Sequence, residues 1–184
     1  MLFNSFDFSI FLCLVFVLYW IVLKNHLKAQ NILLLIASYV FYGWWDYRFL
    51  SLIFFSTLVD YVVGYYLGKT SQGTKRKLLL GTSLVFNLGL LGFFKYYNFF
   101  IESWVEAWRS VGYEMHMSTL QIILPVGISF YTFQTLSYTI DVYRNKIQPT
   151  HYFIEFATFV AFFPQLVAGP IERASHLLPQ FCKK

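Results

Sequence analysis

The sequence predicts an all-α integral membrane protein that crosses the bilayer about five to six times. Three observations carry this. Of the 184 residues, 58% are hydrophobic and only 12% are charged, against roughly 25% charged in soluble domains. The 22 Phe, 14 Tyr and 5 Trp exceed what one soluble core of this length could hide. The apolar residues also come in continuous runs near the length of a bilayer-crossing helix, about 20 residues. Disorder needs low hydrophobicity and high charge, and two cysteines cannot staple a chain of this size. Continuous rather than alternating runs argue against a transmembrane β-barrel. The net charge of +5 does not indicate nucleic acid, because the basic residues form short clusters between apolar runs.

Six segments of one membrane domain are expected, near 6–23, 29–45, 49–68, 78–94, 120–140 and 153–171. The first is read as a retained span, since Asp7 lies at its start and it has neither a basic leader nor a small-residue cleavage site. Lys24 and Lys28, then Lys69, Lys75, Arg76 and Lys77, then Arg144 and Lys146 follow the first, third and fifth segments. The positive-inside rule places those loops in the cytoplasm and the N-terminus outside. The loop from Glu102 to Thr119 is then extracytoplasmic. Arg173, Lys183 and Lys184 break the alternation if the sixth segment crosses.

That segment contains Pro164, Gly169 and Pro170. Each proline removes a backbone donor and crowds the preceding turn. The segment either kinks or enters and returns, and both the charge pattern and the lost hydrogen bonds favour return. After it, Ile171, Ala174, Leu177, Leu178 and Phe181 recur at helical spacing, predicting a short amphipathic helix on the membrane interface that stops near Pro179.

A central Asp60 in the third segment must face the bundle and find a partner; Asn87 and Lys95 are the candidates. In the fifth segment Gly127, Tyr131, Gln134, Ser137, Tyr138 and Asp141 recur at steps of three or four. This polar stripe faces either a cavity or another polar helix, and the regular helix is expected to begin at Pro125. Val126, Ile128, Phe133, Leu136 and Ile140 mark the apolar side. His26, His116, His151 and His176 all fall in expected loops or the tail, away from any apolar helix that would tune a catalytic base. No metal-ligand spacing, phosphate loop or nucleophile elbow occurs.

Four ordered blocks carry a resemblance: Phe93-Phe94-Lys95-Tyr96-Tyr97-Asn98-Phe99, Leu124-Pro125-Val126-Gly127-Ile128-Ser129-Phe130-Tyr131, Ile140-Asp141-Val142-Tyr143-Arg144 and Phe163-Pro164-Gln165-Leu166-Val167-Ala168-Gly169-Pro170-Ile171. With the opening Asn31–Tyr42 and Trp44-Trp45, they resemble the membrane-bound O-acyltransferase family, nearest its alginate O-acetylase branch. The resemblance runs along essentially the whole chain. It implies a helical enzyme of the bacterial cytoplasmic membrane with a tunnel through the bilayer. An acetyl or other acyl group would pass from a cytoplasmic thioester donor such as acetyl-CoA to a polysaccharide hydroxyl, directly or through an extracytoplasmic acceptor protein.

No bound cofactor is implied. The family's catalytic histidine, usually beside Trp and Gly, has no match here, since no Trp-His-Gly occurs. The resemblance therefore implies the N-terminal part of a longer fold, with no catalytic residue of its own and a separately encoded second half as one option. Gln165, Gly169, Pro170 and Arg173 would form the cytoplasmic donor entry, and Gly127, Tyr131, Gln134, Tyr138 and Asp141 the tunnel wall. Arg173 would meet a donor phosphate or anchor the chain at the membrane surface. The rival readings are an inactive remnant or non-catalytic subunit, and a small transporter, although no inverted repeat relates the two halves.

Overall fold

The computed structural model describes residues 5–71, 73–112, 125, 127–169 and 172–182. These residues form helices and connecting turns, with no strand among them. The order is α1 (Phe6–Val17) with a π-helical turn (Leu18–Val22), α2 (Leu27–Asp46), a 3₁₀ turn (Tyr47–Phe49), α3 (Leu50–Lys69), α4 (Gly73–Ser110), α5 (Ile128–Tyr143), α6 (Phe153–Ala161), α7 (Phe163–Ala168) and α8 (Ala174–Cys182). Two stretches, Leu27–Lys69 and Gly73–Ser110, are long and apolar enough to cross a membrane. The first is divided at Asp46, whose extended backbone separates two helices of 20 residues each. Each rises about 30 Å, matching the hydrocarbon thickness of a bilayer.

Burial is inverted relative to a soluble helix. The buried residues of α4 are both polar, Ser83 and Asn87, while Leu78, Val85, Leu88, Phe93, Phe99, Phe100 and Trp104 are exposed. On α3, Ser56, Thr57 and Asp60 are buried while Phe54, Phe55 and Tyr66 are exposed. Apolar groups outside and polar groups inside are what a hydrocarbon solvent selects. This arrangement is consistent with a membrane protein.

Several elements depart from the expectation. The fourth segment does not stop near residue 94. α4 continues for 38 residues, about 57 Å at 1.5 Å per residue, so Glu102, Glu106 and Arg109 lie on a helix and not in a loop. No proline or glycine interrupts residues 93–111, and the helix ends where Gly112 turns left-handed at φ +89°. Residues 113–124 and 126, which hold the end of the expected extracytoplasmic loop and the start of the fifth segment, lie outside the described residues. α5 begins at Ile128 and not at Pro125, because Gly127 caps it at φ +81°, a conformation that suits only glycine and cannot continue into a helix.

The sixth segment is not one helix. α6 has nine residues, about 14 Å of rise, and ends at Phe162. Pro164 lies in the first turn of α7, where a missing N–H costs nothing. The chain then turns back. Along α6, Lys28 of α2 meets Tyr152, the Asn31 carbonyl accepts from Thr158 Oγ1 (3.1 Å), and Ser38 Oγ accepts from Phe163 N–H (3.2 Å). On the return, Asn31 Nδ2 donates to the Phe181 carbonyl at 2.8 Å. α8 thus ends at the end of α2 from which α6 set out. Its apolar residues Ala174, Leu178 and Phe181 are buried in protein and do not lie on an outer interface. That packing carries the helix past the exposed Pro179 to Cys182, so the proline does not stop it.

At the other helix ends one guanidinium acts as a clamp. Arg76 Nη1 donates to the carbonyls of Leu67 (2.7 Å) and Thr70 (3.1 Å), and Nη2 to those of Val142 (3.3 Å) and Tyr143 (2.6 Å). Its Nη2 also reaches Asn145 Oδ1 at 3.0 Å. The last carbonyls of α3 and α5 have no intrahelical partner, and Arg76 supplies one side chain for both.

Close approach in the bundle depends on Gly64 and Gly68 of α3. A Cβ at Gly64 would lie 2.5 Å from the Tyr138 ring, and one at Gly68 would lie 2.3 Å from Pro149 Cγ. Gly64→Ala should therefore lower stability by about 1–3 kcal/mol through overpacking. Gly81→Ala on α4, with nothing within 4 Å of its Cβ position, should leave stability equal or higher. Thermal unfolding of both variants in detergent checks this; equal midpoints would remove the close approach as a constraint.

Candidate functional site

α5 is the element around which the polar groups gather, and it carries two polar faces. The first was not foreseen. Thr132, Thr135 and Thr139 are each buried to within about 1% of full enclosure and turn toward α3 and α4. There Asp60, fully buried, accepts from Ser83 Oγ, from Asn87 Nδ2 at 2.8 Å and from Thr139 Oγ1 at 3.2 Å. Asn87 Oδ1 in turn accepts from Ser56 Oγ at 2.7 Å and from Thr135 Oγ1 at 3.4 Å. Of the two expected partners Asn87 is the one engaged. Lys95 lies two turns further along α4, exposed, with its ammonium 5.5 Å from the Tyr96 ring centroid. Threonine is a weak sequence signal because it is common in apolar helices as a packing residue.

The second face is the expected stripe. Gln134 Nε2 donates to the Phe159 carbonyl at 2.6 Å, one of the four carbonyls orphaned where α6 ends. Ser137 Oγ accepts from Ala174 N–H at 3.2 Å, the first donor of α8. Tyr138 is fully buried against Gly64, and its hydroxyl accepts from Thr150 N–H at 3.1 Å. The stripe therefore spends Gln134 and Ser137 on hydrogen bonds to α6 and α8, and Tyr138 on one to the connection between α5 and α6. Tyr131 is 1% exposed, and its hydroxyl has no hydrogen-bond partner among the described residues. Asp141 is buried in the last turn of α5.

The candidate entry residues divide differently. Gln165 is buried in α7, and its carbonyl accepts from Gly169 N–H at 3.2 Å. A Cβ at Gly169 would sit 2.8 Å from Gln165 Cα, so this turn needs glycine. Gly127 meets the same element: its Cβ would lie 2.7 Å from Leu166 Cδ2. Gly127, Gln165 and Gly169 are thus gathered where α7 abuts the start of α5. Arg173 is exposed, and its carbonyl starts α8 by accepting from His176 and Leu177 N–H. Pro170 lies outside the described residues.

His26, His151 and His176 are exposed, and none enters the polar interior; His116 lies outside the described residues. Among the described residues no group of acidic, histidine or cysteine side chains could hold a metal ion. A cavity of about 330 Å³ opens on the far side of the break, lined by α1, α2, α7 and α8. None of the stripe residues lines it.

The chain is 47% identical over 157 residues to the probable alginate O-acetylase AlgI of Pseudomonas aeruginosa, covering 84% of this chain and 30% of that protein. It is 45% identical to the protein of the same name from Azotobacter vinelandii, covering 84% and 31%. This chain is a homologue of the alginate O-acetylases. It is also 36% identical over 175 residues to the peptidoglycan O-acetyltransferase of Helicobacter pylori, covering 82% of the chain and 32% of that protein. The chain spans about a third of the length of these curated relatives. No family model matches it, and no solved structure matches it. As in the sequence reading, the named relatives are O-acetyltransferases. Their names differ in the acceptor, which makes acetyl transfer the shared element.

The broken segment of this chain depends on Gln134. Gln134→Leu should leave the Phe159 carbonyl buried without a partner and cost about 1–3 kcal/mol. The expected result is a lowered unfolding midpoint in detergent together with faster proteolysis between residues 160 and 172. An unchanged midpoint would show that the break is held without this bond.

Proposed function

We propose that this chain forms part of a membrane-bound O-acetyltransferase that moves acetyl from a cytoplasmic thioester donor to a hydroxyl of an extracytoplasmic glycan. The observation that carries the reading is 47% identity over 84% of the chain to a probable alginate O-acetylase. The inverted burial of α3 and α4 supports the membrane setting. The gathering of Gly127, Gln165 and Gly169 at the break supports a donor entry there, because irregular backbone at membrane depth persists only when enclosed by protein or lining a wet cavity. The reacting base lies outside the polar interior described here, whose hydroxyl and amide groups hold helices together. The relatives' names give alginate and peptidoglycan as the acceptor types, and both are glycans that carry free hydroxyls.

The test is chemical. Disrupting the coding sequence in the cell that makes this chain should lower the O-acetyl ester content of its surface glycans, with the amount of glycan unchanged. Ester content released by mild alkali and measured per sugar gives the readout. An unchanged content in both exopolysaccharide and cell wall would reject the reading.

In this reading the end that carries Lys24, Lys28, Lys69, Lys75, Arg76, Lys77, Arg144 and Lys146 is cytoplasmic, and the N-terminus is outside. Single cysteines at Lys24→Cys or Lys75→Cys, both exposed positions, in a background lacking Cys13 and Cys182, should resist an impermeant thiol reagent in intact cells. Ser103→Cys on the exposed far part of α4 should react. Labelling of Lys75→Cys in intact cells would reverse the orientation.

A further inference from the structure

The cavity beside the break has not been used by the function above. Its volume of about 330 Å³ is at the lower end of the roughly 300–1,000 Å³ of small-molecule pockets. Its walls include Leu12, Phe16, Trp20, Leu34, Phe162 and Leu177. Gln180 is a polar side chain on it, and no charged residue lines it among the described residues. A soluble ligand would need fixed polar groups to orient it; these walls offer mainly hydrocarbon and aromatic surface. The opening lies along α1, where Phe16 is 60% and Trp20 57% exposed, so it faces sideways from the bundle.

Two further features sit at one end of this slot. The π turn frees the Tyr19 carbonyl from its regular helical partner, and Gln30 Nε2 donates to it at 3.1 Å. Such turns are frequent at functional sites. Immediately beyond come Lys24, His26 and Lys28, all exposed. Lys28 is held with its ammonium 5.7 Å from the Tyr152 ring centroid. Glu155, the acidic side chain at this end, accepts from the Cys182 thiol at 3.0 Å. The slot is apolar along its length, and cationic residues lie beyond its Trp20 end.

We propose that this cavity holds one acyl chain of an anionic phospholipid, with the phosphate of its headgroup at Lys24 and Lys28. The inference rests on the membrane setting of the proposed function. Apolar walls take the chain, and each lysine adds electrostatic attraction for an anionic headgroup, about fivefold in retention per charge. The lipid would brace α1, which packs loosely on the bundle with Val15 as its buried residue, against the break and α8.

The experiment is native mass spectrometry of the purified chain in a non-ionic detergent, with dioleoyl phosphatidylglycerol or dioleoyl phosphatidylcholine added. One phosphatidylglycerol should be retained per chain, at least fivefold more than phosphatidylcholine. The double variant Lys24→Gln/Lys28→Gln should bring the two lipids within twofold. Leu12→Trp and Leu177→Trp should each fill the slot and lower phosphatidylglycerol retention at least fivefold. Leu12 is 43% exposed, so its replacement leaves the core intact, and an unchanged melting midpoint verifies this. Equal retention of both lipids by the unaltered chain would overturn the headgroup assignment. Retention unaffected by both tryptophans would overturn the cavity assignment. A lipid-free dimer would give this face to a second copy and overturn the proposal. A chain that stays with membranes through alkaline carbonate but retains no phosphatidylglycerol would overturn the lipid site alone; release by carbonate would overturn the membrane setting as well.

Discussion

A carboxyl group with no exposure, held only by neutral donors, dictates how three helices of this protein can sit. Asp60 receives hydroxyl and amide donors from α4 and α5, and among the described residues no basic side chain pairs with it. Transfer of a polar group into an apolar medium without partners costs several kcal/mol. The donors must therefore be present together, which fixes α3, α4 and α5 in both rotation and axial position. Asn87 cannot slide by a turn without releasing both Asp60 and Ser56. Helices surrounded by hydrocarbon gain little from burying apolar area against one another. Hydrogen bonds and close backbone approach then decide the register, and Gly64 against Tyr138 supplies the second.

The broken segment follows the same rule at the level of the backbone. Splitting one helix into α6, α7 and α8 orphans carbonyls at each end and N–H groups at each start. Several of these meet a side chain placed by an intact helix: Gln134 meets Phe159, Ser38 meets Phe163, Ser137 meets Ala174 and Asn31 meets Phe181. These backbone groups thereby find their partners within the protein. The polar residues of α2 and α5 serve the break, and those of α3 and α4 serve Asp60. α5 belongs to both sets, which accounts for the burial of Thr135, Thr139 and Gln134 within one helix.

Much of this was legible in the residues. A central aspartate demands a partner, and Asn87 was one of two within reach. Paired prolines around residue 164 signal a break whatever the surroundings. Gln134, Ser137 and Tyr138 share a face by spacing alone. What the sequence concealed has identifiable causes. Residues 95–110 carry enough charge to look like a loop by hydropathy, yet they lack any helix breaker until Gly112. Thr132, Thr135 and Thr139 are ambiguous because a threonine hydroxyl can bond its own helix as readily as a neighbour. The position of Gly127 in the left-handed region could not be read from a glycine beside a proline. The cavity is built largely from leucines and aromatics of α1, α2 and α8, such as Leu12, Phe16, Leu34 and Leu177, that look, in sequence, like any lipid-facing side chain.

Arg76 joins two kinds of information that are usually separate. Lysines and arginines bias which side of a membrane a loop remains on during insertion, and any of them can do so. Arg76 belongs to such a cluster, but its guanidinium is also committed to the carbonyl ends of α3 and α5. A lysine offers one compact charge and could not span both sets of acceptors. The same side chain thus carries a charge of the kind that biases topology and also makes the hydrogen bonds that join α3 to α5. An inverted hairpin would present this arginine on the wrong side, away from the α5 terminus it must cap. Losing this arginine would therefore uncap α3 and α5 together.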